Sequence, residues 1–175
     1  TGVQTCALPI SGAFGDALRK FPRSEAWGLI LMPLGTVWFL WNLRTDDIAD
    51  FDAFKPILFI GFAVVGFGAC VFVRDFLAVR GWAVVVLLLA KFTLDTARWV
   101  DTPWRLVIVV WAYLWVVLAL WFTISPWRMR DLIGFLTASE QRIRIGSAAR
   151  LAFGLLVLLL GLTAIRQAEL QAAIP

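Results

Sequence analysis

The chain has 175 residues, 61% of them hydrophobic and ten of them Trp, with a mean hydropathy of +0.85 and a formal net charge of +4. So short a chain cannot hide that much apolar surface from water, so a soluble globular domain is excluded and a polytopic membrane protein is expected. His is absent, which removes the commonest proton shuttle and metal ligand, so haem, zinc and Ser-His or Cys-His chemistry are not expected.

The first ten residues read TGVQTCALPI. They resemble an in-frame translation of a sequencing-library adapter, which implies a non-native segment at 1–10 and native sequence from about Ser11. Setting Cys6 aside leaves Cys70 alone in an apolar run, with no pair to oxidise and no metal-ligand spacing.

The first span is expected over 26–43, an uncharged stretch that carries Gly28 and Gly35 on one helical face and Pro33 between them as a source of a kink. The following loop holds Asp46, Asp47 and Asp50 in a D-D-x-x-D string. The string resembles the magnesium-diphosphate motif of prenyl-transferring enzymes, and the resemblance implies a metal held by those three carboxylates. The simpler reading makes Thr45 the N-cap of a short solvated helix with Asp46 and Asp47 in its first turn. No cofactor is expected. The second span, 56–73, contains Gly61, Gly66 and Gly68 and reads as flexible or closely packed.

The third span, 76–97, departs from the pattern. After an uncharged segment from Gly81 to Ala90 come Lys91, Asp95, Arg98 and Asp101, spaced 4, 3 and 3, so that all four follow one helical face. Lys91 lies about two thirds of the way across, where an ionisable group is costly and is by default a functional candidate, with Asp95 as partner. Two readings stand: a substrate or ion contact open to the external side, or a structural pair in which Lys91 snorkels outward and Arg98 sits among the headgroups.

The fourth span is expected over 106–124, with Trp111 and Trp115 on one face in a packing role. An interfacial amphipathic helix follows over about 126–144. Ser125-Pro126 starts it, Met129, Leu132, Ile133 and Leu136 form its apolar stripe, and Gly146 ends it. Arg128, Arg130, Arg142 and Arg144 flank the stripe and suit anionic lipid. The fifth span, 147–165, carries Gly154 and Gly161 on one face, expected to pack closely within the bundle, with a face between two copies as the alternative.

Segment 125–166 (Ser-Pro-Trp-Arg, amphipathic helix, Arg142-Ile-Arg-Ile-Gly146, then an apolar span closing on Arg166) resembles the layout of a family of very small two-span bacterial inner-membrane proteins of unknown function. It covers about a quarter of the chain and implies neither a reaction nor catalytic residues. Elsewhere no family is suggested.

Ten basic residues fall on the side of the N-terminus (three before span 1, two between spans 2 and 3, five after span 4) and six on the other. That bias predicts a cytoplasmic N-terminus and an external C-terminus in a bacterial inner membrane. The expected architecture is an all-α bundle of five transmembrane helices with one cytoplasmic interfacial helix, in a single domain from residue 11 to 175. The expected role is an accessory or interaction subunit rather than an enzyme, in contact with lipid and with a membrane-protein partner or second copy, and without nucleic acid. The alternatives are a small transporter or channel element using Lys91 and Asp95, and a lipid-modifying enzyme using the Asp46 string.

Overall fold

In a computed structural model the described residues are 9–46, 49–99 and 102–165, and among them every regular element is helical. Five helices are long and apolar enough to cross a membrane. They are α2 (Glu25–Thr45), α3 (Lys55–Phe72), α4 (Leu77–Arg98), α5 (Arg105–Ile124) and α7 (Glu140–Leu160). Two shorter helices, α1 (Pro9–Lys20) and α6 (Pro126–Leu136), complete the set. At 1.5 Å per residue the shortest of the five, α3 with 18 residues, is about 27 Å long, close to the roughly 30 Å hydrocarbon layer.

The long helices do not close round one core, as the expected bundle would. α4 packs against α2 on one flank and α5 on the other, α3 packs on α2, and α7 stands at the edge beyond α5. The share of each apolar stretch buried follows that order, from 44% in α4 to none in α7. Large side chains such as Ile57, Val64 and Phe72 on α3 and Leu151 and Leu159 on α7 are therefore exposed. Continuous apolar surface of this extent is untenable in water and ordinary against lipid.

Glycine decides how closely the row packs. A Cβ at Gly28 would lie 2.8 Å from Leu77 Cβ, one at Gly35 would lie 2.8 Å from Val84 Cγ1, and one at Gly81 would lie 2.7 Å from the Met32 backbone nitrogen. The residue numbers differ by 49 in each pair (77 − 28, 84 − 35, 81 − 32), so α2 and α4 run parallel in a fixed register, α3 having carried the chain back between them. Helices without a hydrophobic drive between them associate by such close contact. The α3 approach is tighter still, since a Cβ at Gly66 would collide with the Thr36 hydroxyl and methyl. The Thr36 hydroxyl is satisfied locally, donating to Met32 O at 2.8 Å. α2 continues through Pro33, which costs one intrahelical hydrogen bond without ending the helix.

At one end of the row Val79, Phe122 and Met129 form a buried cluster, against which Phe21, Phe76 and Trp82 pack. It ties the start of α4, the end of α5 and α6 to the 3-10 turn Phe21–Arg23. Phe76 takes a left-handed conformation (φ 55°) to turn the chain from α3 into α4, a strained choice held by this packing and by the Arg23 guanidinium 5.8 Å above its ring.

Three local expectations are corrected. The amphipathic helix stops at Leu136 rather than near 144, and α7 starts at Glu140, seven residues before the expected fifth span. The break falls at Thr137 to Ser139, where Thr137 leaves the helical conformation (φ −96°, ψ 5°) with its carbonyl held by Arg19, and Ser139 is extended (φ −144°, ψ 140°). Gly146 lies inside α7 and ends nothing. Thr45 is the last residue of α2 rather than an N-cap, its hydroxyl donating to Trp41 O at 3.0 Å, and Asp46 is the C-cap, its N–H reaching Asn42 O at 2.7 Å. Finally, Gly154 and Gly161, the latter at the start of the π-helical turn Gly161–Ile165 that follows α7, meet nothing within 4 Å, so this glycine face makes no close approach among the described residues.

Candidate functional site

The register of α2 against α4 positions the charged end of the row. Continuing the offset of 49 sets Asp46 level with Asp95 and Asn42 level with Lys91, so the two carboxylates stand side by side one turn above the lysine. The Lys91 stem extends toward that end, and its ammonium donates to Asp95 Oδ2 at 2.8 Å and pairs with Asp46 Oδ2 at 3.0 Å. The Asp95 contact is the i, i+4 pair foreseen on α4. The Asp46 contact joins two helices and brings together residues that belong to separate motifs along the sequence.

All three side chains are about half exposed, between 40% and 52%. At that exposure an ion pair contributes about 0–1 kcal/mol, so the triad fixes register more than it holds the fold. Its formal charge, one ammonium and two carboxylates, is −1.

The remaining candidates are less concentrated. Arg98 is exposed at the last residue of α4. Asp50 falls in the 3-10 helix Ala49–Phe54, while Asp47 and Asp101 lie outside the described residues, as do residues 1–8 of the adapter-like segment and Arg166. Among the described residues no three Asp, Glu or Cys side chains converge on a position for a metal ion. Nearby, Lys55 pairs with Asp52 at 2.7 Å, closing the first turn of α3.

Below the triad lies a groove of about 420 Å³ between α2, α3 and α4. Met32, Phe39, Phe62, Val65 and Leu88 line it, with Lys91 as its single charged wall residue. The edge-on contact of Phe39 and Phe62, with centroids 4.8 Å apart, closes part of its floor. A second groove of about 460 Å³ runs between α4 and α5 beside Trp82, Trp111 and Trp115. There Trp111 stands edge-on to Trp115 at 5.6 Å and meets Phe153 of α7 at 4.2 Å, so the tryptophan pair packs helices together.

The opposite end carries a contact that nothing in the sequence reading anticipated. Arg19 of α1 donates to the Thr137 hydroxyl (2.9 Å) and carbonyl (2.7 Å), satisfying the C-terminus of α6 with a cation as the helix dipole favours. Arg142 adds a cation over the Phe135 ring at 4.4 Å. The only sequence signal for this pairing was the amphipathic, basic character of both segments. No protein-family model, curated protein or solved structure matches the chain.

Proposed function

We propose that the chain is a multi-pass protein of the bacterial inner membrane, N-terminus in and C-terminus out, that serves as an accessory or interaction subunit for another membrane-embedded helix. The observation that carries this reading is the unequal use of two equivalent motifs. Gly28 and Gly35 on α2 are buried against α4, whereas Gly154 on α7 and Gly161 at the π-helical turn that follows it, spaced by the same seven residues, meet nothing within 4 Å among the described residues. Small residues on an apolar helix let a second helix approach closely, and in α7 that face is unspent. The transport and lipid-modifying alternatives draw less support, because among the described residues no three Asp, Glu or Cys side chains converge on a metal position and Lys91 is tied to two carboxylates of its own chain, with one N–H left over.

The orientation rests on charge. Lys20, Arg23, Arg128, Arg130 and Arg144 are all exposed at the end of the row where α1 and α6 meet, and a basic rim of this kind is held at the cytoplasmic leaflet by anionic lipid. The loose resemblance of 125–166 to small two-span inner-membrane proteins is consistent with α6 and α7 forming an interaction unit.

Site-directed cross-linking tests the role. With Cys6 and Cys70 replaced by Ser, Gly154→Cys and Gly161→Cys in native membranes are expected to give a cross-linked product of discrete mass, and Leu155→Cys, off that face, is not. Equal yields from both faces, or none from the glycines, would reject an interaction surface on α7. A C-terminal reporter active only in the cytoplasm would reject the orientation.

A further inference from the structure

We infer that the groove between α2, α3 and α4 is a specific site for a zwitterionic amphiphile carrying a primary amine, of the phosphatidylethanolamine class. The inference rests on α2 to α5 spanning a bilayer and adds a ligand to that reading. Along α2 the wall runs from Met32 to Phe39 and along α4 from Val84 to Lys91, eight residues and seven helical steps each, so the groove is about 10 Å long, most of the roughly 15 Å depth of one leaflet. Its walls are apolar and their one hydroxyl, on Thr36, is bonded to its own helix, which suits a hydrocarbon chain and offers nothing to a polar solute. Its volume of about 420 Å³ falls within the roughly 300–1,000 Å³ of small-molecule sites.

Charge at the mouth selects the headgroup. The half-exposed Lys91 ammonium offers a donor to a phosphodiester, while Asp46 and Asp95 leave one negative charge uncompensated beside it. A headgroup with phosphate and ammonium a few bonds apart matches both signs. An anionic glycerol headgroup meets the excess negative charge, and a quaternary choline brings the positive charge but has no N–H to donate to the carboxylates.

The test is lipid retention by the purified full chain, read by native mass spectrometry after delipidation and challenge with equimolar phosphatidylethanolamine, phosphatidylcholine and phosphatidylglycerol. The ethanolamine lipid is expected to be retained over each of the others by up to about fivefold, the upper limit for one charge pair at this exposure. Val65→Trp, which fills the groove from an exposed position on α3, is expected to abolish the retained lipid. Asp95→Asn should keep a bound lipid but lose the preference. Equal retention of the three lipids by the parent chain would overturn the proposal, as would an ethanolamine preference that survives both substitutions. Carbonate extraction of the same membranes separates the two levels: a chain released by carbonate fails the membrane reading itself, and one that stays embedded without preference fails the lipid site alone.

Discussion

Substituting alanine at Gly81 and at Gly154 probes the packing of the row with a built-in control. Both are interior positions of long helices, so the gain in helix propensity from Gly to Ala, about 1 kcal/mol, is common to the two and cancels in their difference. A Cβ at Gly81 would sit 2.7 Å from the Met32 nitrogen and 2.9 Å from Leu31 Cβ, whereas ordinary contact begins at 3.4 Å, so α4 has to retreat by 0.7 Å (3.4 − 2.7). Because the obstacle is backbone, no rotamer change absorbs it, and the retreat also loosens the contacts of Gly28 with Leu77 and of Gly35 with Val84. Overpacking of this kind costs about 1–3 kcal/mol, and Gly154→Ala, with open space around it, should cost none of it. The expected difference is therefore about 1–3 kcal/mol, measured by reversible unfolding in detergent micelles with the tryptophan emission as the signal. Gly28→Ala should behave like Gly81→Ala, its Cβ falling 2.9 Å from the Ala78 nitrogen. Equal stability of Gly81→Ala and Gly154→Ala would refute the α2–α4 register from which the site is built.

The ionic triad gives a prediction of sign. Lys91→Met leaves Asp46 and Asp95 facing each other without a cation, so it should destabilise more than Asp46→Asn or Asp95→Asn, each about 0–1 kcal/mol, and adding both Asn substitutions to Lys91→Met should restore stability. A Lys91→Met variant of unchanged stability that had lost a measurable ion or solute flux in proteoliposomes would instead favour a transport role. At the other end, Arg19→Ala removes two hydrogen bonds to Thr137 and should cost about 1.5 kcal/mol, with faster hydrogen exchange confined to α1 and the end of α6. Phe122→Ala empties the centre of the cluster with Val79 and Met129 and should cost about 3–5 kcal/mol in the same unfolding assay, whereas Phe72→Ala, at an 86% exposed position, should cost little.

Composition and the lengths of the apolar runs already determined that the described residues are helical and include five helices able to cross a membrane, because those properties are local and additive along the sequence. Four of the five helix starts lie within one residue of expectation, each marked by a charge or a proline where an apolar run begins. The fifth does not, since the chain turns at Thr137 to Ser139, where Arg19 from a distant segment holds the Thr137 carbonyl, before Gly146 is reached. The Lys91–Asp95 pair was legible because a spacing of four places two side chains on one helical face whatever surrounds them. Its third member was not. Asp46 reaches Lys91 only because Gly28, Gly35 and Gly81 let α2 and α4 close in one register, and a register between parallel helices, 49 residues apart in the chain, leaves no periodicity in a single sequence. The same reason hid the groove, which exists only once three helices are placed, and the bond from Arg19 to Thr137, which spans 118 residues. Local chemistry fixes which segments become helices; which faces meet depends on steric fit between distant segments, and that is decided by the tertiary structure alone.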